Sequence, residues 1–154
     1  MLKNYLKKYF IRALIAACIY CITVGIFLTK AKYQSVWLLF LGNALYMLTA
    51  GTLIYLSNKV KRLNHSSVTS TISGHILSLT GAAISVILSV LLYLAFSLDS
   101  NGEKLHKAPA SLSANPIFSM LLILMVTAAL GNTIAGFFAV LFTSFDTSSK
   151  KPHN

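Results

Sequence analysis

Four long stretches of this chain contain almost no charged side chain: Ala13 to Thr29, Val36 to Asn58, Val68 to Leu98, and Leu105 to Phe145, the last interrupted only by Lys107. A helix rises about 1.5 Å per residue and the hydrocarbon core of a bilayer is about 30 Å thick, so about 20 apolar residues cross it. A backbone in hydrocarbon must satisfy its own amides, which leaves the helix as the form for such a block. Composition agrees: of 154 residues, 56% are hydrophobic and 10% charged, too little polar surface to cover a soluble globule. The expected fold class is an all-α membrane protein, four transmembrane helices in two hairpins forming one four-helix domain over 1–154.

Caps and breakers trim the spans to about 10–28, 35–57, 70–97 and 117–144. Pro116 suits a first helical turn, where its missing amide hydrogen would have no partner anyway. Ser67 or Ser70 can cap the third helix, and Asn58 can end the second. The third and fourth blocks exceed one membrane thickness and must tilt or protrude. The segment 145–154 is expected to be a disordered cytoplasmic tail.

The net charge of +10 raises the question of nucleic acid, but the Lys and Arg residues are dispersed among tails and loops. They are instead biased to one side. Lys3, Lys7, Lys8 and Arg12 precede the first span, Lys59, Lys61 and Arg62 separate the second from the third, and Lys150 and Lys151 follow the fourth. Lys30, Lys32, Lys104 and Lys107 occupy the other side with Asp99 and Glu103. The positive-inside rule then gives cytoplasmic N- and C-termini and a multi-pass protein of the cell membrane, by preference a bacterial inner membrane. The segment MLKNYLKKYFIR, with Leu2, Leu6, Tyr9 and Phe10 at helical spacing among lysines, is expected to lie on the anionic surface before turning in.

The only two cysteines form Cys18-Ile-Tyr-Cys21. The run IAAC ending at Cys18 resembles a bacterial lipobox, but Arg12 leaves too short an apolar core before it for a signal peptide, and hydrophobicity continues beyond. A Cys-x-x-Cys pair on four membrane helices also resembles the quinone-coupled thiol oxidoreductases, the disulfide-bond generator and vitamin K epoxide reductase families. That resemblance implies electron transfer from the pair to a quinone. Those families use a second cysteine pair on the outer side, which this chain lacks. Cys18 and Cys21 also lie inside the hydrocarbon, where a thiolate is disfavoured.

Packing explains the cysteines better. Ala13, Ala17, Cys21 and Gly25 recur at every fourth position, a ridge of small side chains with Cys18 on its flank. Between helices in lipid no hydrophobic drive exists, and small residues permit the close backbone approach that replaces it. Gly74, Ser78 and Ala82 form such a row on the third helix, with Gly81, Ser85 and Ser89 beside it. Ala128, Asn132 and Gly136 form one on the fourth, flanked by Gly131, Ala135 and Ala139. Their hydroxyls can bond to their own helix carbonyls, so these rows read first as packing faces.

No Asp, Glu, Lys or Arg lies mid-span, whereas proton-coupled transporters depend on such a group. Four helices at this length resemble the small multidrug-resistance exporters, but their embedded glutamate has no counterpart here. His75 is the only histidine within a span and is expected at an interface or in packing; haem or metal would need further ligands. No catalytic, cofactor-binding or metal-binding residue is assigned, and no cofactor is expected.

The triplet Leu-Gly-Asn occurs twice, as Leu41-Gly42-Asn43 and Leu130-Gly131-Asn132, at similar distances from the following lysines. Equal depth would suit two parallel hairpins related by an axis along the membrane normal. An asparagine in lipid needs a partner, so Asn43 and Asn132 should face the bundle. The polar connection 99–115 could touch a partner or be passive.

Two functions fit these features. The first is a non-catalytic accessory or assembly subunit of a larger membrane complex, its partners the bilayer and other membrane subunits or copies of itself. The alternative is a channel or carrier for an uncharged small solute, acting as an oligomer and lined by Asn43, Ser85, Ser89, Thr127 and Asn132. A thiol redox enzyme using Cys18 and Cys21 is the least supported.

Overall fold

The computed structural model describes residues 2–30, 35–61, 67–99 and 116–148. All of them but a short approach at residues 35–36 are helical. Helix α1 runs Leu2–Lys30, α2 Trp37–Lys61 and α3 Ser67–Asp99. The last membrane helix is composite: α4, Pro116–Val126, passes through a π-helical turn at Thr127–Gly131 into α5, Asn132–Ser148.

Among the described residues, four segments are long and apolar enough to cross a membrane: Tyr9–Lys30, Trp37–Ser57, Thr71–Phe96 and Ser119–Thr143. Helix α1 is unbroken from Leu2, so the basic amphipathic segment forms its first turns and is not a separate element that turns in. Nothing between Leu2 and Arg12 breaks a helix, and extending one costs less than nucleating another. The same holds beyond Phe145. Helix α5 continues to Ser148, so residues 145–148, read from sequence as tail, are helical, while 149–154 lie outside the described residues. The 99–115 connection is also outside them after Asp99.

Helix α1 packs against α2 and α3, and the α4–α5 helix packs against the same two. Helices α2 and α3 barely touch, as corners across a four-cornered bundle do. Directions follow from paired residues. Gly74 meets Val140 and Gly136 meets Ser78, so α3 and α5 are antiparallel. Gly131 meets Asn43 and Gly51 meets Ala139, so α2 and α5 run parallel, side by side. An axis along the bundle relating the hairpins would set α1 diagonal to α3 and α2 diagonal to the last helix. Both pairs are neighbours instead, so the hairpins are related by a sideways step and the expected axis is absent.

The core is built around α1, whose Ala13, Ala16, Ala17, Tyr20, Val24 and Phe27 are fully enclosed. Around it stand Leu39, Tyr46 and Ala50 of α2, Leu77 of α3, and Leu124 and Ala128 of the last helix. The outside is a sheath of large apolar side chains, Trp37, Phe40, Ile87 and Phe142 among them, as lipid contact demands.

Candidate functional site

Among the described residues, polar side chains from all four membrane helices meet inside the bundle along one seam. Its centre is the π-helical turn. Thr127, at the start of that turn, donates its hydroxyl to the carbonyls of Ile123 (2.7 Å) and Leu124 (3.2 Å). A hydroxyl that competes for backbone acceptors loosens the local ladder, which favours the wider turn beyond it. The widened turn delivers Asn132 to a position with no exposed surface.

Three of the four membrane helices carry a glycine beside which a side chain from another helix occupies the space. Gly42 of α2 is covered by Thr23 and the Tyr20 ring of α1. Gly81 of α3 lies under the Tyr46 hydroxyl of α2, and that hydroxyl donates to the Ser78 carbonyl at 2.6 Å. Gly131 is covered by the Asn43 amide, and Gly136 of α5 by the Ser78 hydroxyl. A Cβ at any of these four glycines would collide with the side chain named. Glycine is required here for close approach, not for a special backbone angle.

The two Leu-Gly-Asn triplets therefore meet, with Asn43 of the first set on Gly131 of the second. Tyr20 reaches across the diagonal from α1 and donates to the Thr127 hydroxyl at 3.4 Å. Several polar atoms in the seam lack a protein partner: Oδ1 of Asn43, Oγ of Ser89, and both Oδ1 and Nδ2 of Asn132. A buried amide without a hydrogen bond costs about 1–3 kcal/mol on mutational evidence, so the seam has unmet hydrogen-bonding capacity. Ser85 spends its hydroxyl on the Gly81 carbonyl at 2.9 Å, and Thr23 on the Tyr20 carbonyl at 2.6 Å.

The residues singled out from sequence divide by location. Asn43, Gly81, Ser85, Gly131 and Asn132 lie in or beside the seam, and Gly74, Ser78 and Gly136 continue it along the α3–α5 contact. Ala13 and Ala17 are fully buried in the α1 core. Cys21 is half-buried and faces Ser89 without hydrogen-bond geometry, while Cys18 is exposed on the outer face. Gly25 has open space where a Cβ would stand. His75 is half-buried and stacks on Phe137 of α5, ring centroids 6.0 Å apart. Among the described residues no group of three His, Cys, Asp or Glu comes together that could hold a metal ion.

Three contributors went unread in the sequence, Tyr20, Thr23 and Tyr46. The signal was present: a phenolic hydroxyl in mid-span must find a partner, and both tyrosines stand where a facing helix offers small residues. The π-helical turn left no comparable signal. No protein-family model matches the chain, and no curated protein and no solved structure shows significant similarity to it, so its role has to come from its own geometry.

Proposed function

We propose that this chain is a small multi-pass integral membrane protein serving as a non-catalytic accessory or assembly subunit of a larger membrane complex. The observation that carries the reading is the way the interior is filled. Four glycines from three helices each seat a neighbour's side chain. Such interlocking makes a rigid body rather than a path for solute. No Asp, Glu, Lys or Arg stands mid-span to couple transport to a proton. The distribution of Lys and Arg supports cytoplasmic N- and C-termini. Partners in this reading are other membrane subunits or further copies of the chain.

A second reading, a channel or carrier for an uncharged small solute, is favoured by one observation, the unpartnered polar atoms of Asn43, Ser89 and Asn132. The two separate in one experiment. The tagged chain, extracted in mild detergent, is expected to bring down a stoichiometric membrane partner or to run as a defined oligomer, and Asn132→Leu is expected to leave that assembly intact. A monodisperse chain that passes small neutral solutes in vesicles, with flux abolished by Asn132→Leu, would reverse the choice.

A further inference from the structure

On the outside of the bundle, α2 and α5 part to leave an open groove of 540 Å³, floored by Gly51 and Ala139 and walled by Met47, Tyr55 and Phe142. That volume is in the size class of sites for small organic ligands, about 300–1,000 Å³. Its chemistry is almost wholly hydrocarbon. The Thr52 hydroxyl at its edge is spent on the Leu48 carbonyl at 2.8 Å, and that of Thr143 on the carbonyls of Ala139 (3.0 Å) and Val140 (2.9 Å). Both threonine hydrogens are thus committed to the helix backbone.

Two lysines of α2 follow the groove-lining residues toward one end of the helix. The row Met47, Gly51, Tyr55 advances by one turn at each step, and its next member in α2 is Lys59, with Lys61 closing the helix and Arg62 following in sequence. Because α5 runs parallel to α2, its C-terminal end lies at the same end of the bundle. Asp146 is the one acidic residue of that region. The order apolar channel, tyrosine, then lysines matches acyl chain, interface, then phosphate along a lipid.

We propose that this groove is a binding site for an anionic phospholipid, one acyl chain lying between α2 and α5 and the phosphate meeting the basic end of α2. A zwitterionic lipid fits the same channel but gains less from the lysines.

Full-length protein in nanodiscs containing spin-labelled phosphatidylglycerol or phosphatidylcholine tests the assignment. Wild type is expected to immobilise phosphatidylglycerol preferentially, and K59Q/K61Q to lower that preference by about tenfold while leaving residual binding of either lipid. Gly51→Leu fills the groove with little internal conflict, since a Cβ there stands 3.7 Å from that of Ala139. It is expected to reduce immobilisation of both lipids by about tenfold. Phe142→Ala, at a side chain 64% exposed, removes one wall without touching the core and is expected to act in the same direction, should Gly51→Leu disturb folding. Equal immobilisation of the two lipids by wild type would overturn the proposal. So would a preference that survives both groove variants, or a groove blocked to lipid by a copurifying membrane helix that Gly51→Leu displaces.

Discussion

Two rows of small residues that look alike in sequence meet different surroundings. On α1, Ala13 and Ala17 are sealed in the core, but the row then drifts outward through half-buried Cys21 to Gly25, beside which nothing stands. On the last helix, Ala128, Asn132 and Gly136 are all enclosed, and Gly136 ends against the Ser78 hydroxyl of α3. The α1 row repeats every fourth residue, whereas a straight helix turns every 3.6, so such a row winds around the helix and leaves the interface. The π-helical turn on the last helix lies just ahead of Asn132 and re-aims the face of α5 beyond it. Spacing defines a row, and the neighbour decides how much of it is contact.

Leucine substitutions at the two terminal glycines should break this comparison most sharply. Gly136→Leu has to push α3 and α5 apart, and overpacking of this kind typically costs about 1–3 kcal/mol. Gly25→Leu enters open space and should stay within about 0.5 kcal/mol, helped by the better helix propensity of leucine. Thermal unfolding of both in the same detergent measures the gap. Equal losses would mean that both rows are packed alike.

Spans and fold class were legible because a bilayer imposes a length and a polarity that composition alone reveals. Rows of small residues could be picked out because their spacing is visible in the sequence, whereas which of them a neighbour covers was not. The pairing of helices as neighbours could not be read. The two Leu-Gly-Asn triplets pointed to equal depth, and Asn43 does meet Gly131, yet equal depth suits a sideways step as well as a rotation. The unmet capacity of Asn132 was also unreadable, since it depends on the groups that the π-helical turn brings near it.

The two buried tyrosines sharpen the comparison at smaller scale, because each spans one diagonal of the bundle, Tyr46 from α2 to α3 by a short hydrogen bond and Tyr20 from α1 to the last helix by a long one. Tyr46 donates at 2.6 Å to a backbone carbonyl, while Tyr20 donates at 3.4 Å to the Thr127 hydroxyl, beyond the usual range for oxygen–oxygen bonds. Tyr46→Phe is expected to cost about 0.5–1.5 kcal/mol, and Tyr20→Phe a few tenths at most. The same unfolding measurement applies. A larger loss from Tyr20→Phe would give the diagonal contact at the π-helical turn more weight than its length suggests.

The smallest effects belong to the cysteines, and they bear on chemistry more than on stability. Cys21 packs toward Ser89 and Cys18 faces outward, so Cys21→Ala should lose a little packing, about 1 kcal/mol or less, and Cys18→Ala almost nothing. A lipid-soluble maleimide should label Cys18 faster than Cys21, since attack needs access as well as a thiolate. The double alanine variant should still capture whatever partner or oligomer wild type forms. If that variant folds with unchanged helicity and melting but loses every trace of assembly, the pair is more than packing. A thiol function for Cys18 and Cys21 would then displace the scaffold reading, despite the lack of a second cysteine pair to pass electrons onward.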